Sequence, residues 1–205
     1  MITQAVLLCA GKGTRLGEIS ANRAKPLVEV AGQPFITWLI DDLLEVGITD
    51  IVLLVGHMRN QFDSLSRQYN EVRLVQANII VNTGVLGISG LKEKFLLSNG
   101  DCYPIFKESG DLEDFLVSSR RSIVGVKEKS DGSLGDCGLG IIDKDSVDMG
   151  LINCGKFSSM LDILGHYYLE GNLHINDPKG LEGAEAWLSG KTSTVISQQH
   201  SLMNS

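Results

Sequence analysis

Leu7-Leu8-Cys9-Ala10-Gly11-Lys12-Gly13-Thr14-Arg15-Leu16 is the stretch on which the fold turns. Residues 5–9 are a short apolar run, as expected of a strand buried on both faces. The run ends in a turn with two glycines, Gly11 and Gly13. Glycines there let the backbone approach an anion and present N–H donors to it. Arg15 adds a forked cation that suits phosphate oxygens, and Lys25, ten residues on and just before Pro26, adds a point charge. The segment is not a P-loop, because Gly11-Lys12 is followed by Gly13 and position 6 is Val6. Nor is it a dinucleotide fingerprint: the third glycine would fall at Leu16, and the next apolar run ends in Gly56 with no acid for a ribose.

Outward from this loop, helices and strands alternate. Pro34 opens a helical stretch with Phe35, Leu39, Leu43 and Val46 at helical spacing, and Gly47 is placed to stop it. Residues 51–55 read as a second buried strand, 60–69 as a helix, and 72–75, 79–81 and 95–98 as strands, the last closing on Asn99-Gly100-Asp101. Further on, 112–119 reads as a helix, 122–126 as a strand, 130–140 as turns, 151–154 as a short strand, and 157–168 and 181–188 as helices. The pattern predicts a Rossmann-like α/β fold with a mainly parallel central sheet and helices on both faces. Ligands of such sheets bind beyond the carboxyl ends of the strands, where the loops at residues 11–16, Gly56-His57 and Gly100-Asp101 are expected to meet. One domain over residues 1–190 is predicted, with a flexible polar tail over 191–205.

Bulk composition sets limits. The 205 residues are 43% hydrophobic and 21% charged, an ordinary globular balance. A net charge of −7 disfavours non-specific nucleic-acid binding. No run approaches the roughly 18 apolar residues of a membrane span, and the first ten residues lack a secretory pattern, so a cytoplasmic protein without a membrane partner is expected. The cysteines Cys9, Cys102, Cys137 and Cys154 form no CxxC pair, which argues against zinc.

The motifs in order resemble a family. Gly11-x-Gly13-Thr14-Arg15-Leu16, followed by Lys25-Pro26-Leu27 and Gly32-Gln33-Pro34, resembles the signature of the sugar-phosphate nucleotidylyltransferases, with their glycosyltransferase-A-like fold. Val55-Gly56-His57 with Gln61-Phe62, then Leu86-Gly87, Asn99-Gly100-Asp101, 150–155 and Ile175-Asn176-Asp177-Pro178 continue the likeness in order over about residues 3–188. The branch it resembles is the heptose-1-phosphate guanylyltransferase type. The resemblance implies transfer of a nucleoside monophosphate from a triphosphate to a sugar 1-phosphate, with release of pyrophosphate. It implies nucleotide binding by Leu8, Ala10, Gly11, Gly13, Thr14 and Arg15 with Leu86 and Gly87, and catalytic roles for Arg15 and Lys25. The acceptor side falls to Lys127 and Asn153, and Mg²⁺ to Asp101 and Asn176, with Asp177 competing as a ligand. The chain also departs from the family. Ala24 stands where a proline usually precedes the lysine, Ile88-Ser89 follow Leu86-Gly87 in place of Thr and small residues, and the helix before Gly100 and the Glu-Lys strand before Asn153 are cut short or missing. These departures keep two alternatives open: a cytidylyltransferase for phosphocholine or another non-sugar phosphate, and a nucleotide-binding regulatory domain without turnover. Oligomeric state is left open.

Overall fold

The computed structural model describes residues 2–77, 88–107, 111–118, 121–146 and 157–203, with side chains to residue 191 apart from that of Ser159. Its centre is a seven-stranded sheet in the order β10-β8-β9-β6-β1-β4-β5. The strands are β1 (Gln4–Cys9), β4 (Asp50–Val55), β5 (Val72–Gln76), β6 (Lys94–Asn99), β8 (Ile123–Glu128), β9 (Leu134–Asp143) and β10 (Gly165–Tyr168). β2 (Glu29–Val30) pairs with β3 (Gln33–Pro34), and β7 (Cys102–Ile105) with β11 (Gly171–His174), as small antiparallel ribbons. The helices are α1 (Phe35–Glu45), α2 (Asp63–Gln68), α3 (Leu112–Val117) and α4 (Pro178–Met203). β1 runs parallel to both its neighbours, β4 and β6, while β9 runs antiparallel to β6 and β8.

Strand periodicity sorts the core into two layers. Ala5, Leu7 and Cys9 of β1, with Ile51, Leu53 and Val55 of β4, face one way and pack with Phe35, Ile36, Leu39, Ile40 and Leu43 of α1. Val6, Val52, Leu54, Phe95 and Leu97 face the other way. Among the described residues the buried side chains of all four α-helices belong to the first layer. Among the described residues the second is covered by Ile88, Leu164 and the 3-10 turn Phe157–Met160. The mainly parallel sheet with flanking helices is as the sequence predicts, although among the described residues the α-helices lie on one face rather than both.

Three elements differ from the sequence reading. Residues 130–140, read as turns, contain most of β9, a central strand. Its glycines mark close approaches rather than breaks: a Cβ on Gly140 would lie 3.0 Å from the Ile123 carbonyl oxygen and 3.2 Å from the Phe157 ring. Residues 157–168, predicted as a helix, are instead a 3-10 turn followed by β10, a parallel edge strand beside β8. Gly165 breaks the helical pattern, and the two tyrosines after it favour a strand. The final helix runs to Met203, well past residue 188 and across most of the segment expected to be a tail. It is nucleated at Pro178 and anchored by Ala184 and Leu188, and once nucleated it extends through residues of middling propensity. The strands expected at 79–81 and 151–154 lie outside the described residues.

Candidate active site at the carboxyl ends of β1 and β6

The loops after β1, β4 and β6 meet. The Gly100 N–H donates to the Leu8 carbonyl oxygen at 3.0 Å, and a Cβ on Gly100 would stand 2.6 Å from the Cys9 sulfur. Gly56 sits so close to Ala10 that a Cβ on it would lie 2.9 Å from the Ala10 Cβ. Small residues at these points let three strand ends close on one another, which sets Asp101 beside the β1 loop.

That loop takes its shape from Gly13, at φ 68° and ψ 22° in the left-handed region. The Gly13 carbonyl accepts from the Leu16 N–H at 2.9 Å and from the Ser20 hydroxyl at 2.8 Å. Leu16, 2% exposed, pins the 3-10 turn Thr14–Ser20 to the core. Gly11, Lys12, Thr14 and Arg15 are left exposed at the mouth, and nothing lies within 4 Å of where a Gly11 Cβ would be. Leu8 and Ala10 are half-buried at the strand end.

Lys25 opens a second 3-10 turn, Lys25–Leu27, and its side chain is 8% exposed. Its ammonium donates to Asp101 Oδ2 and to Asn176 Oδ1. Arg15 Nη2 donates to the same Asn176 oxygen at 3.2 Å, and Asn176 Nδ2 lies 3.2 Å from His174 Nδ1. Arg15, Lys25, Asp101 and Asn176 are thus brought together from four separate segments. Asp177 is not part of this group. Its Oδ1 accepts the Gly180 N–H at 2.8 Å and caps α4, leaving Asn176 as the side chain turned to the cluster. Lys127 stands apart, half-buried on β8, donating to Asn172 Oδ1 of β11 at 2.9 Å. Asn172 and His174 lie on β11, and Asn176 follows two residues beyond its end, which links the two groups through one short segment. Leu86, Gly87 and Asn153 lie outside the described residues.

Two cations face one carboxylate, so the cluster favours an added anion. Among the described residues no group of three His, Cys, Asp or Glu side chains is placed to hold a metal. Asp101 and Asn176 offer two hard oxygens, matching Mg²⁺, which takes few protein ligands and completes its shell with water and phosphate. Those oxygens now hold the Lys25 ammonium, so the pair fits the ion once Lys25 turns to a phosphate. Nearby thiols do not compete: burial, and then the Asp101 charge, push Cys9 and Cys102 far above the ordinary thiol range, and burial pushes Cys137 up to about 11.

Asn172, His174 and Gln61 are the site residues that residue-by-residue reading passed over. Gln61 was quoted within a motif, but nothing in the sequence tells which backbone it grips. Its Oε1 accepts the Ala24 N–H at 2.7 Å, and its Nε2 donates to the Asn22 carbonyl at 2.8 Å.

Known proteins resemble this chain in sequence and in fold. Residues 4–91 match the sequence profile of the nucleotidyl transferase family, described as "Nucleotidyl transferase". Choline-phosphate cytidylyltransferase of Streptococcus pneumoniae is 46% identical over 72 residues, 35% of this chain and 31% of that protein. The bifunctional protein GlmU of Methanocaldococcus jannaschii is 31% identical over 127 residues, 60% of this chain and 29% of that one. The match therefore spans about a third of these curated relatives. A solved structure of CTP:phosphocholine cytidylyltransferase from Streptococcus pneumoniae superposes with a TM-score of 0.65 at 22% identity, covering 92% of this chain and all of that one. Residues 4–91 are thus those of a nucleotidyl transferase by sequence, and the likeness of fold extends over nearly the whole chain.

Proposed function

We propose that the chain transfers a nucleotidyl group from a nucleoside triphosphate to a sugar 1-phosphate, giving a nucleoside diphosphate sugar and pyrophosphate. The observation that carries this reading is the convergence of Arg15, Lys25, Asp101 and Asn176 beyond the ends of β1 and β6. An oxygen of the acceptor phosphate attacks the α-phosphorus in line. The new P–O bond forms as the bond from the α-phosphorus to the bridging oxygen breaks, and pyrophosphate leaves with its electron pair. A phosphate monoester is already nucleophilic at neutral pH, so alignment and charge neutralisation supply most of the rate.

The glycine-turn backbone and Arg15 hold the β- and γ-phosphates. Lys25 turns from Asp101 toward the α-phosphate and offsets its charge in the transition state. Lys127, aimed by Asn172, receives the acceptor phosphate. Asp101 and Asn176 would hold Mg²⁺, which would supply charge neutralisation to the phosphates. The acidic net charge of −7 fits small-molecule partners better than nucleic acid. A cytoplasmic setting suits the free thiols of Cys9, Cys102 and Cys137, and no helix among the described residues is long and apolar enough to cross a membrane. The likeness to a choline-phosphate cytidylyltransferase favours a second reading, in which the acceptor is phosphocholine or another non-sugar phosphate.

Pyrophosphate release tests both. CTP, GTP, UTP and ATP are each supplied with Mg²⁺ and with sugar 1-phosphates or phosphocholine. Release that requires triphosphate, acceptor and Mg²⁺ together is the expected result, and the productive pair separates the two readings. Triphosphate binding by thermal shift with no release on any pair would overturn both in favour of a regulatory domain.

A further inference from the structure

We propose that His174 is a positioning residue that fixes which end of the Asn176 amide faces the site; this rests on the reading of Asn176 as a Mg²⁺ ligand given above. An asparagine amide has an accepting oxygen and a donating NH₂ group of nearly the same shape, so a half-turn of the side chain exchanges them. Mg²⁺ takes only the oxygen. Ammonium and guanidinium groups only donate, so the atom shared by Lys25 Nζ and Arg15 Nη2 is Oδ1. Nδ2 is thereby turned the other way, to 3.2 Å from His174 Nδ1. An amide NH₂ also only donates, so Nδ1 is the acceptor and the imidazole carries its proton on Nε2.

The imidazole projects from a fixed backbone. His174 is the last residue of β11, paired with Cys102 of β7. Ile175, next in sequence, is fully buried, and its N–H donates to the Asp101 carbonyl at 3.3 Å. The start of α4 lies so close that a Cβ on Gly180 would stand 2.3 Å from the His174 carbonyl oxygen. Asn176, by contrast, is only half-buried and lies past the strand end. Without nucleotide, Lys25 and Arg15 hold its oxygen in place themselves. In the reaction proposed above both cations turn to phosphate. Among the described residues, His174 then remains to tell the two ends of the amide apart, keeping Oδ1 on the side of Asp101.

The test compares wild type, His174→Phe, His174→Asn, Asn176→Ala and the double variant His174→Phe/Asn176→Ala. Phenylalanine keeps a ring and removes the acceptor; asparagine loses the ring and keeps an acceptor near the Nδ1 position. The first readout is nitrogen-15 NMR of ligand-free wild type at about pH 8, with His174→Phe assigning the resonance. A bare Nδ1 and a protonated Nε2 are expected. The second is the Mg²⁺ concentration that gives half the maximal rate on the productive substrate pair. His174→Phe is expected to raise it about tenfold, with kcat at saturating Mg²⁺ within about threefold of wild type, whereas His174→Asn stays within about threefold on both. Packing alone would favour phenylalanine over asparagine, the reverse order. Asn176→Ala is expected to raise the Mg²⁺ requirement at least as much, and His174→Phe to add no more than about twofold to it. The proposal is overturned by a proton on Nδ1, by wild-type Mg²⁺ dependence in a folded His174→Phe protein, or by a full tenfold added to Asn176→Ala, as for an imidazole that binds the ion itself. An unchanged Mg²⁺ dependence in Asn176→Ala overturns instead the reading of Asn176 as a ligand, and no turnover by wild type overturns the functional reading; either takes this role of His174 with it.

Discussion

Replacing Lys25 by methionine should unmask the charge that its ammonium now balances. Methionine keeps most of the apolar stem, so packing beneath the site changes little. The Lys25 side chain is 8% exposed and that of Asp101 24%. Removing one partner of a fully buried ion pair costs about 3–5 kcal/mol, but water reaches Asp101, so that figure is an upper bound. Loss of a hydrogen bond to a charged group, about 1.5–3 kcal/mol, is the better guide. Asn176 keeps its 3.2 Å bond from Arg15 and adds little to the loss. For a chain of this size, about 2–4 °C of Tm per kcal/mol predicts a fall of about 3–12 °C without ligand. The double variant Lys25→Met/Asp101→Asn should regain most of it, since no lone charge remains. Mg²⁺ without nucleotide should then raise the Tm of Lys25→Met more than that of wild type, because the competing ammonium is gone. Thermal denaturation by circular dichroism, with and without Mg²⁺, reads all of this. A Lys25→Met protein at least as stable as wild type, or no recovery on adding Asp101→Asn, would refute the charge-balance argument.

Other perturbations separate packing from chemistry. Gly100→Ala places a methyl 2.6 Å from the Cys9 sulfur and 3.2 Å from the Leu8 carbonyl oxygen, so urea denaturation should show a loss of about 1–3 kcal/mol. Gly11→Ala meets nothing within 4 Å; it should unfold within about 0.5 kcal/mol of wild type while triphosphate affinity, measured by calorimetry, falls. Asp177→Ala should lose about 1 kcal/mol of α4 capping, whereas Asp177→Asn should keep both the cap and turnover; loss of turnover in Asp177→Asn would restore Asp177 as a metal ligand. Burial would raise Asp50, but hydrogen bonds from Arg73 and Gln4 outweigh it and hold its carboxyl below the ordinary range. Its contribution is present at neutral pH and is lost as pH falls through its native pKa. Arg73→Met should therefore be less stable than wild type at pH 7, and the gap should narrow only as pH falls below the ordinary carboxylate value of about 3.9, as read from urea midpoints.

The legible part of this molecule is what β1 and its neighbours impose. Apolar runs at 5–9, 51–55 and 95–98 carry the largely buried β1, β4 and β6, because a strand covered on both faces leaves little polar alternation to misread. Lys25 and Asp101 were legible because each is a charged side chain next to a proline or a glycine, and Arg15 because it follows the glycine turn at the end of β1. The edge half was harder. β9 contains Gly135, Gly138 and Gly140, which propensity assigns to turns. Only the packed partners, the Ile123 carbonyl against Gly140 and Cys102 against Gly138, show why a side chain is excluded there. Likewise 157–168 has enough apolar residues for a helix, and what makes its second half a strand is the open edge of β8.

The residues that escaped notice at the site share a cause. Asn172 acts on another side chain, and Gln61 acts on backbone, so neither advertises its partner by residue type. Ala24 is a departure from the family pattern, in which a proline usually precedes the lysine. In the fold its N–H is the group that Gln61 holds. A departure from a motif is therefore weak evidence of lost function until the freed backbone group has been traced. A proline replaced by alanine gains a donor, and a donor buried beside the site needs an acceptor. Here the acceptor comes from the turn after β4, thirty-seven residues away in sequence. Catalytic charges can be read one residue at a time, whereas the hydrogen bonds that aim them are properties of two segments and become visible only when the sheet has brought both to the same end.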